Sequence, residues 1–334
     1  MRNKKRFFAG RLLLVTVLLL FAIAACDENH GADDSETITL FLSFVPSVQF
    51  APMYVADERG YFADEGIDIE FEHSFNEADG VDRLAINNLH FGIISGEQVI
   101  IARRAEKPLV YVMEWFHRFP VGVVVPSDSD IESPADLRGK TVGIPGFFGA
   151  SYMGFRALLN SVDLAEDDLT LQPIGFTAPE VMCERDVDAA VVYITNEPVT
   201  IAEQCYPVRV IEIADYTQLV ANGLVTNEET IRNNPDLVRG MVRALNRGIA
   251  DTIADPEAAF DIALEYVDLT DDQLDTQRQV FQNSVELWRS ENLGATSAAA
   301  WQDTEAIMIE AGFIEDPLDD LDAAYTNDFL PESE

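Results

Sequence analysis

Thr37-Ile38-Thr39-Leu40-Phe41-Leu42-Ser43-Phe44-Val45-Pro46-Ser47-Val48-Gln49-Phe50-Ala51-Pro52-Met53-Tyr54-Val55-Ala56-Asp57-Glu58-Arg59-Gly60 carries a strand, a turn and a helix in succession. Ile38 to Leu42 is a short apolar strand, and Pro46 breaks it. Ala51 to Arg59 has the apolar spacing of a helix and ends at Gly60, a residue suited to helix termination. A strand joined to a helix by a short polar turn is the unit from which sheets covered by helices are built.

The same unit recurs on both sides of residue 60. Ile67-Asp68-Ile69-Glu70-Phe71 alternates as a strand does, Gly80 to Asn87 reads as a helix, and Phe91-Gly92-Ile93-Ile94 as a buried strand. Glu97 to Arg104 is helical and Leu109 to Met113 is a further strand. The rhythm restarts at Val121 to Val125, closed by Pro126. Ser133-Pro134 opens a helical turn. Thr141 to Ile144 is a strand and Ala150 to Ser161 a helix. Leu169 to Pro173, Ala189 to Tyr193, Val208 to Ile213 and Asn222 to Thr226 complete the strands, and from Asn234 the pattern is helical almost to the end. The expectation is an α/β protein of two parallel-sheet blocks with a helical C-terminal tail.

The first residues read as a targeting segment. Arg2, Lys4, Lys5, Arg6 and Arg11 precede the apolar run Leu12 to Ala22, and Ile23-Ala24-Ala25-Cys26 follows. A Cys after small residues resembles a bacterial lipobox, in which cleavage before the Cys leaves it acylated. Residues 1–25 are thus expected to be a lipoprotein signal peptide, Cys26 the lipidation site, and 26–36, polar and acidic, a flexible tether. An ordinary cleaved signal and an uncleaved anchor are the alternatives, although the run is short for a spanning helix. The expected place is outside the cytoplasm, anchored to the cell membrane.

The chain holds 22 basic and 59 acidic residues, a net charge of −37. Without residues 1–25 the balance becomes 17 against 59, or −42. Such a surface repels phosphate backbones and anionic lipids, so nucleic acid is not expected as a partner. A Lys-poor, acid-rich secreted chain fits a saline habitat, where salt screens self-repulsion. Cys183 and Cys205 remain as a pair, and a disulfide and two free thiols both fit. His30, His73, His90 and His117 are scattered, with no metal-ligand spacing. No GxSxG, HExxH, phosphate-binding or dinucleotide motif occurs, so neither an enzyme nor a cofactor is expected.

Several segments resemble the substrate-binding proteins of ABC importers, in the group related to thiamine-pyrimidine synthase and the alkanesulfonate-binding proteins. They are Phe44 to Ala56, Gly60-Tyr61-Phe62, Glu65-Gly66-Ile67, Asp136 to Gly143 and Val187 to Val192. Within that group Val45 to Pro52, Ser95 to Val99, Gly146 to Tyr152 and Val192 to Pro198 look most similar to the riboflavin-binding component of RibXY-type transporters. The resemblance implies a two-lobed periplasmic-binding-protein fold of type II with a ligand cleft between the lobes. Lobe one is expected over 37–118 plus 220–334 and lobe two over 119–215, with crossovers near 116–120 and 214–221. It implies riboflavin as transported ligand, an ABC permease and its ATPase as partners, and a monomer.

Ligands of open α/β sheets bind beyond the carboxyl ends of strands. On that rule the candidate ligand-binding residues are Phe44, Gln49 and Phe50 after the first strand, and Ser95, Glu97 and Gln98 after the third. Phe147, Phe148, Ser151 and Tyr152 belong to the glycine loop, and Tyr193, Asn196 and Glu197 follow the Ala189 strand. Trp115, Asp215 and Asn222 lie at the crossovers. A flat flavin ring requires aromatic stacking, for which Tyr54, Trp115, Tyr152 and Tyr193 are candidates. Each has a plainer reading as core residue, helix cap or hinge. The loop at Gly146 contains no basic residue, which favours riboflavin over FMN. The alternatives are a thiamine-pyrimidine precursor or another aromatic heterocycle as ligand, a sensory receptor, and a pyrimidine-synthase-like enzyme, which the signal segment argues against.

Overall fold

The strands first seen at Thr37 and Val121 seed two separate five-stranded sheets. The computed structural model describes residues 37–331; Cys26 and the segments read as signal and tether lie outside the described residues. No helix among the described residues is long and apolar enough to cross a membrane.

The first block runs β1 (Thr37–Leu42), α1 (Ala51–Glu58), α2 (Tyr61–Asp64), β2 (Asp68–His73), α3 (Glu77–Ala85), β3 (Phe91–Ile94), α4 (Gly96–Arg104) and β4 (Leu109–Glu114). The second runs β5 (Val121–Pro126), β6 (Thr141–Ile144), α5 (Gly149–Asn160), β7 (Thr170–Pro173), α6 (Ala178–Cys183), β8 (Ala189–Tyr193), α7 (Glu197–Gln204) and β9 (Val208–Glu212). The chain then returns as β10 (Gly223–Asn227). It continues through α8 (Glu228–Asn233), α9 (Pro235–Ala254), α10 (Pro256–Ala263), α11 (Leu274–Trp288) and α12 (Ala298–Glu310).

Sheet one has the order β2-β1-β3-β10-β4 and sheet two β7-β6-β8-β5-β9. Neither is purely parallel, which corrects the sequence expectation. β10 is antiparallel to β3 and β4, and β5 is antiparallel to β8 and β9. The cause is the crossovers. β4 ends at the interlobe side, and residues 115–120 lead straight into the neighbouring sheet, so β5 starts from that side and runs away from it. β9 and β10 repeat this in the other direction. A connection this short cannot contain the helix that parallel strands need.

The inner strands of sheet two are apolar on both faces and alternate between two cores. Ala189 and Val191 of β8, with Val123 and Val125 of β5, join the large core shared with sheet one. Ala190, Val192 and Val124 point to a smaller core with Met182 and Ile201, under α6 and α7. Cys183, the last residue of α6, is disulfide-bonded to Cys205 just after α7, with the Cα atoms 5.5 Å apart. The helical pattern stops earlier than expected. Beyond Glu310 the described residues hold one further helical element, a 3-10 turn at Asp322–Ala324, and the Thr326 N–H donates to the Tyr111 carbonyl at 2.9 Å, laying the tail along β4.

Candidate functional site

The loops that follow β1, β2, β3 and β4 face those that follow β6, β7 and β8, and between them lies a cleft of about 930 Å³ including its open mouth. Eleven of the residues expected from sequence line it: Phe44, Gln49, Phe50, Ser95, Trp115, Phe148, Ser151, Tyr193, Asn196, Glu197 and Asn222. Both sheets contribute, so the lining is shared between the lobes.

The lobes touch across this cleft. Gln49 Nε2 donates to Thr195 Oγ1 at 2.8 Å, in a buried bond between the loop after β1 and the loop after β8. Thr195 is thereby occupied. Asn196, at the N-cap position of α7, makes no capping bond with its side chain, so neither residue caps the helix as the plainer reading supposed. At the mouth, Phe75 after β2 stacks on Phe176 after β7, centroids 4.9 Å apart at 27°. Phe44 meets both edge-on, at 5.4 and 5.8 Å. Phe75, Phe148 and Phe176 are 50%, 61% and 48% exposed, so the mouth presents large apolar rings to solvent. Such exposure marks a surface meant to be covered.

The floor is polar. Tyr193 Oη donates to Asn222 Oδ1 at 3.4 Å, Asn222 Nδ2 to Ser95 Oγ at 3.1 Å, and Ser95 Oγ to Glu77 Oε1 at 2.7 Å. The chain of bonds leads from lobe two through the second crossover into lobe one. Asn222 also ties the crossovers together, because its carbonyl accepts the N–H groups of Trp115 and Phe116 at 3.1 and 3.3 Å.

Three carboxyls stand in or under this floor. Burial pushes the Glu197 carboxyl up to about 7, against the opposing pull of its own N–H and that of Tyr193. Burial, then the neighbouring Glu77 charge, pushes Glu97 up to about 8. Glu77 is itself raised by burial, while two donations from Ser95 oppose the rise. Among the described residues lining the cleft there is no Lys, Arg or His, and no group of His, Cys, Asp or Glu suited to a metal occurs. The arrangement can accept and donate hydrogen bonds to a neutral ligand and stack on a flat one.

Six expected residues do not line the cleft. Tyr54 is fully buried one helical turn below Phe50, stacked on Tyr266 at 4.4 Å and 8°. Glu97 lies behind Ser95, 2% exposed, with Oε2 lacking a partner among the described residues. Gln98 donates to Glu97 Oε1 at 3.4 Å instead. Phe147 turns outward, edge-on to Tyr152, and Tyr152 packs against Phe313 of the tail at 5.3 Å. Helical rotation explains this pair: Ser151 takes the cleft side of α5, so Tyr152 is carried around to the other. Asp215 accepts from Arg118 at 2.6 Å, and Arg118 also pairs with Glu212, so this cluster fastens one crossover to the other.

Trp115 lines the cleft and already has two aromatic neighbours stacked on it. Phe50 stacks on it at 5.2 Å and 13°, and Phe116 at 4.1 Å and 29°. Sequence reading missed Phe75, Glu77 and Phe176. All three follow strands at their carboxyl ends, and the rule applied after β1 and β8 would have found them after β2 and β7.

A scan against family models matches residues 47–259 to the NMT1/THI5-like family. The riboflavin-binding protein RibY of Chloroflexus aurantiacus is 37% identical, over 96% of this chain and 98% of its own. The chain belongs to the NMT1/THI5-like family. The formylaminopyrimidine-binding protein of Halalkalibacterium halodurans is 25% identical over 92% of this chain and 95% of its own. Among solved structures, the periplasmic aliphatic sulphonate binding protein SsuA of Escherichia coli superposes with a TM-score of 0.72 at 15% identity, covering 90% of this chain and 94% of that one. This member of the NMT1/THI5-like family therefore has the two-lobed, type II periplasmic-binding-protein fold, as the segments around Phe44 and Asp136 implied.

Proposed function

We propose that this protein is the extracytoplasmic solute receptor of an ABC importer and binds riboflavin between its lobes. The observation that carries the reading is the 37% identity to a riboflavin-binding protein over nearly the full length of both chains. The cleft agrees with it chemically. Its mouth offers Phe44, Phe75, Phe148 and Phe176 to a flat ring, and its floor offers Ser95, Asn196, Glu197 and Asn222 to carbonyl, imide and hydroxyl groups. Three carboxyls and no lining cation disfavour a sulfonate, despite the shared fold.

On this reading the ligand bridges both lobes and favours the state in which they touch. Binding is non-catalytic, and the closed receptor is recognised by a permease whose ATPase drives uptake. The lipobox at Ile23 to Cys26 would tether the receptor to the membrane that holds that permease.

Fluorescence titration tests the ligand. Riboflavin emission should be quenched saturably at one ligand per chain, and Phe176→Ala should weaken binding by about 1–2 kcal/mol, the scale of one aromatic contact with its burial. Tyr152→Ala should leave it unchanged. Absence of quenching, with a thermal shift from a formylaminopyrimidine instead, would replace the flavin by the smaller heterocycle.

A further inference from the structure

Glu77 is the first residue of α3, a helix capped by Asn76, whose Oδ1 accepts the Asp79 N–H at 3.3 Å. Its two oxygens have different surroundings. Oε1 accepts both the N–H and the hydroxyl of Ser95, each at 2.7 Å. Oε2 makes no hydrogen bond among the described residues. It lies toward lobe two, because a Cβ added at Gly149, the first residue of α5, would stand 3.6 Å from it. Glu77 and Gly149 line the same cleft. One oxygen is thus fixed by two donors while the other meets the space between the lobes.

The titratable groups around this space are all carboxyls, each raised toward its neutral form by burial. Glu97 lies behind Ser95 and Glu197 enters from lobe two, with no cation among the described lining residues. An anion placed here would lose its water and meet no compensating charge. A hydroxyl would instead donate to the free oxygen, which receives no other donor among the described residues. The half-exposed phenylalanines at the mouth leave the ring to that end and the hydroxyl-bearing chain to the floor.

We infer that Glu77 is the specificity-determining residue of this cleft: its free oxygen accepts a hydroxyl of an uncharged ligand, and, with no cation beside it, it offers the phosphate ester of the same molecule no donor to replace its water. The inference rests on the riboflavin reading. Riboflavin ends in a neutral hydroxyl where FMN carries a phosphate, so the pair isolates the effect.

Calorimetric titration of the whole chain with riboflavin and with FMN tests it, in the wild type and in Glu77→Gln. Glutamine keeps an acceptor for Ser95, and a melting curve checks that the fold is retained. The wild type should prefer riboflavin by about tenfold or more, and Glu77→Gln should narrow that preference by about tenfold, chiefly through a gain for FMN. Equal affinity of the wild type for both flavins overturns the inference whatever the variant does, as does an unchanged preference in a folded variant. Binding of neither flavin by the wild type overturns the riboflavin reading itself, and the inference with it.

Discussion

Glu97 has a carboxyl that folding moves into apolar surroundings beside another carboxyl. Its folded-state value of about 8 lies above the ordinary value of 4.5. A raised acid binds its proton more tightly in the folded state, so this group's contribution is most favourable below about 4.5. The contribution falls as pH rises from there through about 8. Glu97→Gln removes the titration and keeps the shape. Relative to the variant, the wild type should lose on the order of 2 kcal/mol or more of stability between pH 5 and pH 8. Thermal melts of both proteins at the two pH values measure this, and parallel losses would contradict it. The aromatic residues show a related lesson in how side chains are used. Trp115 has the composition of a stacking platform, and Phe50 and Phe116 are already stacked on it. Sequence gives the ring but not what is already stacked on it.

Among the elements, α6 and α7 depend on a bond as well as on their small core. Cys183 and Cys205 close a loop with a separation of 22 residues. By the chain-entropy argument such a loop is worth about 3 kcal/mol. Replacing both cysteines by serine should lower stability to denaturant by roughly that amount. Equal unfolding midpoints for the two proteins would show that the bond contributes nothing. The elements themselves were largely legible. β5 (Val121-Gly122-Val123-Val124-Val125-Pro126) and β8 (Ala189-Ala190-Val191-Val192-Tyr193) carry no charged or strongly polar side chain, and a strand buried on both faces needs such a continuous apolar run. Strand direction was not legible, because an apolar run reads the same in either orientation and the reversal at β5 and β10 comes from crossovers too short to turn. The candidate site was legible where a polar or glycine-bearing loop follows a strand, as at Ser95 and Gly146. It was missed at Phe75 and Phe176, where the residue type alone carries no sign of core or mouth and only their position after the ends of β2 and β7 points to the cleft.

For the whole molecule, the dominant quantity is a net charge of −37. Most arginines are engaged with exposed carboxylates, and such pairs add little stability in water. The surplus acid repels itself, and the repulsion is screened within about 3 Å in molar salt. The melting temperature should therefore rise steadily from low salt to molar sodium chloride, and a flat response would refute the self-repulsion argument. The strand order has its own consequence. Lobe two is continuous in sequence from β5 to β9, whereas β10 lies between β3 and β4 in sheet one. A chain emerging amino end first, from a ribosome or a secretion pore, exposes a complete second sheet while the first still lacks an inner strand. The half of the molecule that begins the sequence is therefore the last able to fold.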